Sequence, residues 1–516
     1  MCGIFAFISS DEIDVEAIKL ESDKLSARGP DSSKEISMKI GDKNIYLAFH
    51  RLAINGLDEK SDQPMNLLNL KSIYLLCNGE IYNYKSLAKK YKIDLETNSD
   101  CEIIIHLYNK LPVDKFIREL DGVFSFVICD KDKQMILIGH DPIGVRPLYW
   151  YHTGRELALS SEMKGLSSLN NSIDFYPPGS YSYYKMGQIM KSLNTYSYYT
   201  FDYPLKEQLT EERIIPLIQE KLEESVKKRL ITDRPFGCLL SGGLDSSIIV
   251  SILVKLMRKE SVRTFAIGLE NSPDLLAAQK AADYLGTNHT NVIVSEEEMI
   301  QSIEDTIYQI ESYDTTTVRA SVPMFLLAKY IRDNTDIKVI FSGEGSDEAS
   351  GSYLYFHNAP TPEDFQAECI RLLKDVRYFD VLRGDKTIAG AGLELRVPFF
   401  DKDFLRFYMS INPSLKMVRN GYEKYLLRKS YEDYLPQEIA WRRKDGFSDG
   451  VSVLDRPWYK IIEEYSKLNY GFTEKQLYEM YYKKYYNKCM DIIPYQWMPK
   501  WTEGVGENPS GRLIIN

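Results

Sequence analysis

Phe236-Gly237-Cys238-Leu239-Leu240-Ser241-Gly242-Gly243-Leu244-Asp245-Ser246-Ser247 is the stretch that decides how this chain is read. An apolar run, Phe236 to Leu240, leads into small polar residues that open a helical pattern. The two glycines let the backbone approach a phosphate, and the serines and the helix N-terminus offer donors to it. The loop lacks the G-x-x-x-x-G-K-S/T spacing of a Walker A loop. Asp245 beside a pyrophosphate makes sense only with a cation between them, so it reads as a Mg²⁺ ligand. A structural glycine turn is the plain alternative.

The same design recurs at Ser342-Gly343-Glu344-Gly345-Ser346-Asp347-Glu348, behind the apolar run Lys338 to Phe341. Arg263 to Gly268 is a third short run, and longer helical patterns lie between them. Strand–helix alternation predicts a parallel sheet with crossover helices. Ligands sit at the carboxyl ends of such strands. The two loops are then neighbours, and Asp245 and Asp347 can share Mg²⁺. A helix-start carboxylate is the alternative for Asp347.

Upstream, Ile214, Leu217, Ile218, Leu222, Val226 and Leu230 predict an amphipathic helix. The aromatic, aperiodic segment 196–210 before it reads as a linker. Residues 1–195 carry short apolar runs broken by polar turns. Val123–Ile128 and Met135–Ile138, joined through Asp130 to Lys133, predict a hairpin. Helices are expected near 14–26 and 99–110, giving mixed sheets with packed helices. Residues 211–516 form the second unit. Its portion from about 360 to 500 is mostly helical, and its tyrosine-rich part, Tyr459 to Tyr486, keeps helical spacing.

The 516 residues carry a formal charge of −10, which argues against nucleic acid and anionic membranes as partners. The seven cysteines include no C-x-x-C pair, so neither a zinc site nor a disulfide framework is expected, and the compartment reads as reducing. The start, MCGIFAFISSDEID, has no basic segment before its short apolar run, and no apolar stretch of about 18 residues occurs. Neither a signal peptide nor a membrane span is expected, and the cytosol is the expected location.

Cys2 follows Met1. With Met1 removed, Cys2 would carry a thiol and a free α-amine, whose pKa of about 7.7–8.0 suits a general base. One residue then supplies nucleophile and base. In the same half, Arg51 suits an α-carboxylate by its fork geometry. Glu80 and Asp100 suit an α-ammonium. The Asn78 amide and Gly79 N–H suit an oxyanion, although Asn-Gly alone would favour a hairpin turn. Together these describe a site for an amino acid whose side-chain carbonyl is attacked.

MCGIFAF (1–7), RGPD (28–31), HRLAI (50–54), NGEIYNY (78–84) and DGVFSF (121–126) resemble the glutaminase domain of the amino-terminal-nucleophile amidotransferases. The resemblance implies a four-layer αββα sandwich, with glutamine bound by Arg51, Leu52, Ala53, Ile54, Asn55, Asn78, Gly79, Glu80 and Asp100. Ser32 stands where many relatives have tryptophan.

LLSGGLDSS (239–247), FAIGLENSPDL (265–275), YDTTTVRAS (313–321), FSGEGSDE (341–348), GLELRVPF (392–399), RRKDGFSDGV (442–451) and PYQWMPKW (494–501) resemble the adenylating domain of the glutamine-hydrolysing asparagine synthetases. This implies an α/β domain of the ATP-pyrophosphatase type. Leu240, Ile267, Ser342 and Gly343 would join Ser241, Gly242, Gly243, Asp245 and Ser246 in contacting ATP. Glu344 would serve the acyl-adenylate, and Lys444 would neutralise phosphate charge. Arg319 and Thr315 to Thr317 are weaker candidates for the substrate pocket. Glutamine, aspartate and ATP are the partners implied, with a homodimer left open.

The chain departs from the family pattern at Ser350 and Ser352, at Gly384-Asp385 and at Ala391. The first two departures are expected near the substrate loops, where they bear on acceptor identity. An amidotransferase for another carboxylate, a β-lactam-forming relative and a non-catalytic binding protein are the competing readings. Intact Cys2, Arg51 and Asp100 argue against the β-lactam reading.

Overall fold

The computed structural model describes residues 1–187, 194–206, 208–502 and 508–510. Residue 207 of the expected linker, and 503–507 and 511–516 of the expected second unit, lie outside the described residues.

The first half builds two antiparallel sheets. One orders Ser32–Ile40, Lys43–Arg51, Gly3–Ser9, Glu156–Ser160, Tyr149–His152 and Asp174–Phe175. The other orders Asn194–Ser197, Ser180–Lys185, Met135–His140, Gly122–Asp130 and Ile73–Ile81. Strand alternation explains how they stack. Ile4, Ala6 and Ile8 join Leu76, Val127, Cys129, Ile136 and Ile138 in one core between the sheets. Phe5 and Phe7 point the other way, toward Ile18 on the helix Val15–Asp23. On the far side, Leu75, Phe124, Phe126 and Ile128 pack with Ile104, Leu107 and Phe116 from the helices Glu102–Lys110 and Val113–Glu119. The layers run helix, sheet, sheet, helix. The expected hairpin forms, with Asp130 opposite Met135.

Asn78-Gly79 is not a turn. Both residues lie inside Ile73–Ile81, with Asn78 opposite Ser125 and Gly79 opposite Phe124. Long-range pairing overrides the local preference.

The second half holds a fully parallel sheet in the order Asn288–Ile293, Arg263–Gly268, Phe236–Leu239, Val339–Phe341, Glu394–Arg396. Its first strand, Phe236–Leu239, is central. The next two strands are laid on one side of it and the last two on the other. Beyond Leu239 and Phe341 the chain goes on to opposite edges of the sheet, so the crevice at this reversal of strand order lies beside the two loops that follow those strands. The helix Glu211–Lys228 enters this half on the buried side chains Ile214, Ile218, Leu222 and Val226. The expected helical region contains Trp458–Tyr470 and Glu474–Tyr486. Among the described residues no helix is long and apolar enough to cross a membrane.

The halves are pressed together. Lys228 pairs with Asp121 at 2.8 Å, and Gly56 N–H donates to Asp233 at 2.9 Å.

Candidate active sites

In the first half, the turn Arg28 to Asp31 braces the end of Lys43–Arg51. Asp31 N–H donates to Arg51 O at 2.9 Å, and Asp31 Oδ2 accepts from Ala53 N–H at 2.8 Å. This fixes the segment Arg51 to Asn55. Cys2 Sγ donates to Leu52 O at 3.6 Å, and burial pushes its thiol up from its ordinary value. Arg28 Nε donates to Cys2 O at 3.0 Å.

Asn55 Nδ2 donates to Glu80 at 2.5 Å and reaches Asp100 at 3.5 Å, while Ile81 N–H donates to Asp100 at 2.6 Å. Asn55, Glu80 and Asp100 are thus brought together. Burial raises both carboxyls. Asp100 is pushed up to about 6, with Glu394 adding to the effect. Glu80 is held well above its usual range by burial and then by Asp100. A cationic ligand here would relieve both.

Asn78 is fully buried, and among the described residues neither its Nδ2 nor its Oδ1 has a hydrogen-bond partner. Such an atom costs about 1–3 kcal/mol unless a ligand satisfies it. The Arg51 fork is already engaged: it pairs with Asp62 at 2.6 Å and donates to Asp58 O at 2.8 Å and to Gly56 O. Ala53, Ile54 and Leu52 are buried.

Met1 is buried, with its α-ammonium 3.7 Å from Glu394. In this form Cys2 N lies in a peptide bond and is no base.

In the second half, a cavity of about 250 Å³ opens at the strand-order reversal. Leu240, Ser241, Gly243, Asp245, Ser246 and Ile267 line it from one side. Ser342, Gly343, Glu344, Asp347 and Lys444 line it from the other. The loops touch closely: a Cβ on Gly343 would lie 2.8 Å from Ser246 N. Gly242 backs onto the helix Pro273–Leu285 with a φ of +68°, and its Cβ would lie 2.3 Å from Ala277 C.

Asp245 and Asp347 share a partner, and it is Lys424. Its Nζ lies 2.6 Å from Asp245 and pairs also with Asp347, while Lys444 Nζ lies 2.7 Å from Asp347. Burial alone would raise the Asp347 carboxyl, but the two ammonium groups hold it well below the usual carboxylate range. Ser352 Oγ donates to Asp347 as well. Asp245 Oδ1 is buried without a hydrogen-bond partner among the described residues.

Glu344 is gripped by Arg383 at 2.8 Å, and Arg383 also pairs with Asp380 at 2.7 Å. Burial raises the Glu344 carboxyl and Arg383 opposes the rise. Thr316 and Thr317 line the cavity. Arg319 is turned to Glu474 at 2.7 Å and Asn508 at 2.9 Å. Thr315 Oγ1 accepts from Gln496 at 3.0 Å.

Asp385, expected near a substrate loop, lies instead between the halves, 2.8 Å from Arg28 and 3.3 Å from Arg146. Ser350 donates to Ser346 O, and Ala391 is buried in the core.

Sequence reasoning missed Lys424, Arg383 and Arg146. Lys424 and Arg146 stand in no spacing pattern with the groups they meet, and Arg383 has helical spacing with Asp380 but none with Glu344. Lys424 did have one weak signal, its place just after Asn420-Gly421, where a turn is expected. It sits in left-handed backbone, φ +57°, at the start of Tyr425–Tyr431.

Comparison with known proteins adds three findings. A glutamine amidotransferase domain family matches residues 1–197, and the asparagine synthase family matches 217–364 and 358–490. Proteins named asparagine synthetase, glutamine-hydrolysing, from Mus musculus and Homo sapiens are each 40% identical, over 100% of this chain and 99% of their own. The protein of that name from Gallus gallus is 40% identical, over 100% of this chain and 98% of its own.

Proposed function

This chain belongs to the glutamine-hydrolysing asparagine synthetases, and from that premise we propose how its residues divide the work. The enzyme makes asparagine from aspartate with ATP, taking nitrogen from glutamine. We assign glutamine hydrolysis to residues 1–195, adenylation to 211–516, and the link to 196–210.

In the first site, Cys2 thiolate attacks the glutamine side-chain amide. Asn78, which has no partner among the described residues, and Gly79 N–H receive the oxyanion. Glu80 and Asp100, held by Asn55, take the α-ammonium. Arg51 meets the α-carboxylate once its fork exchanges an internal carbonyl for the ligand. The freed Cys2 amine, after loss of Met1, accepts the thiol proton. Ammonia leaves, and water hydrolyses the thioester to glutamate.

In the second site, the aspartate β-carboxylate attacks the α-phosphorus of ATP and pyrophosphate departs. Leu240, Ser241, Gly243, Asp245, Ser246, Ile267, Ser342 and Gly343 hold the nucleotide, while Gly242, expected to touch it, lets their loop pass close to the helix Pro273–Leu285 instead. Lys444 and Lys424 offset the charge that builds on the leaving group. Ammonia then attacks the acyl carbon of β-aspartyl-AMP, and AMP leaves as asparagine forms. Glu344, oriented by Arg383, faces this intermediate.

Mg²⁺ arrives as part of the nucleotide substrate. Asp245 Oδ1, unpartnered among the described residues, is a fitting oxygen donor for it, whereas the Asp347 oxygens are engaged by lysines. The seven free thiols fit a reducing compartment, and we propose the cytosol.

The observation that carries this assignment is the cavity on which both small-residue loops converge with Glu344 and Lys444. The test is AMP and asparagine formation by Cys2→Ala. Synthesis with ammonium salt is expected to persist and synthesis with glutamine to vanish. Loss of both in a folded variant overturns the two-site division.

A further inference from the structure

The helix Asp380–Gly390 lies between the two sites. On a helix of 3.6 residues per turn, side chains two apart point about 200° away from each other. Arg383 and Asp385 use this geometry. Arg383 turns into the adenylation cavity and grips Glu344 at 2.8 Å. Asp385 turns to the other half and pairs with Arg28 at 2.8 Å. Arg28 in turn donates from Nε to the main-chain carbonyl of Cys2 at 3.0 Å. Four links thus join the acyl-adenylate side to the nucleophile: Glu344, Arg383, the helix, and the Asp385–Arg28 pair.

The pair is well suited to carry strain. Arg28 and Asp385 are both 0% exposed. Both are closed to solvent, so a shift of the helix drags the guanidinium or leaves buried charge unpaired. Arg146 reinforces the grip, lying 3.3 Å from Asp385 and donating to Leu395 O at 3.1 Å. Glu162 meets the same guanidinium nitrogen, Arg28 Nη1, at 3.1 Å. The guanidinium therefore has a defined resting place that Asp385 completes.

We infer that Asp385 is a positioning residue that couples the glutamine site to the adenylation cavity through Arg28. Its carboxylate meets neither substrate. It sets the Cys2 backbone according to where Glu344 and Arg383 stand. The inference rests on the two-site assignment above, and ammonia-dependent synthesis by the unsubstituted chain checks that assignment separately.

The test is Asp385→Asn in the full chain, a substitution in the adenylating half read out in the other half. Glutaminase kcat is expected to fall roughly tenfold to a hundredfold, as small misplacements of a nucleophile do, while ammonia-dependent synthesis keeps its rate. Combining Asp385→Asn with Arg28→Lys is expected to cost no more than the worse single change, since both break one link. An unaltered glutaminase, or equal falls in both activities with a lowered melting temperature, overturns the inference.

A second measurement needs no variant. In the unsubstituted chain, saturating aspartate with a non-hydrolysable ATP analogue is expected to change the rate of Cys2 alkylation by iodoacetamide about fivefold or more. An unchanged rate overturns the coupling.

Discussion

Asp100 holds a carboxyl that burial pushes up to about 6, although the Ile81 N–H pulls the other way. The unfolded value is about 3.9. Between the two, the native state binds more protons, so this residue subtracts stability as pH rises through that window. In the proposed glutamine site the same titration would govern binding, because a glutamine α-ammonium needs the ionised form. We expect the glutamine KM of the glutaminase to rise roughly tenfold per pH unit below about 6. Asp100→Asn should raise KM at every pH and remove that step; a wild-type profile in the variant would exclude the role. Lys424 makes a second case. Lys424→Met leaves Asp245 and Asp347 facing each other without their shared cation. Pyrophosphate release should fall by ~10²–10³ while glutaminase survives. At this scale Cys2, Asn78 and Asp100 were proposed from separate short motifs that resemble a family, and the two small-residue loops from a local pattern after an apolar run. Lys424 and Arg383 were not legible, because Lys424 reaches Asp245 and Asp347, and Arg383 reaches Glu344, from a distant segment.

Among the elements, the meeting of the two loops sets the tightest tolerance. Gly343→Ala would drive a Cβ to 2.8 Å from Ser246 N and 2.9 Å from Asp245 C, both backbone atoms that cannot step aside. The expected cost is about 1–3 kcal/mol of stability, with adenylation lost and glutaminase kept. Denaturant unfolding alongside the two assays checks it. The parallel strands were readable as short apolar runs between helical patterns, and the expected run Arg263 to Gly268 matches its strand end to end. Lys338 stands just outside Val339–Phe341, and Leu240 just outside Phe236–Leu239. The antiparallel half was harder. Its six-stranded order places Gly3–Ser9 between Lys43–Arg51 and Glu156–Ser160, a pairing that no local pattern encodes. Asn78-Gly79 shows the same limit, since a dipeptide that favours turns is held straight by its neighbours in the sheet.

Across the whole molecule, buried ion pairs hold the halves in register. Lys386 pairs with Glu311, both 0% exposed, and donates to Tyr149 Oη of the other half at 2.6 Å. Lys386→Met removes the ammonium that faces Glu311 and leaves its buried charge to the N–H groups of Met163 and Lys164, at 2.8 and 2.7 Å. The expected loss is about 3–5 kcal/mol, with both activities failing at the same lowered temperature in a thermal-inactivation series. Inactivation of one activity well before the other would show that the halves unfold separately. The resemblance conveyed two domains but not this seam, so Asp385 was expected near a substrate loop. The seam also governs the biography of the chain. Met1 is 2% exposed, and its ammonium rests against Glu394, which the later half supplies. With that half docked Met1 is closed off, so an aminopeptidase is expected to reach it before docking. Maturation thus has a deadline. A protein allowed to finish folding with Met1 in place is expected to resist trimming by an added aminopeptidase, and intact-mass measurement before and after urea treatment would reveal the missed opportunity.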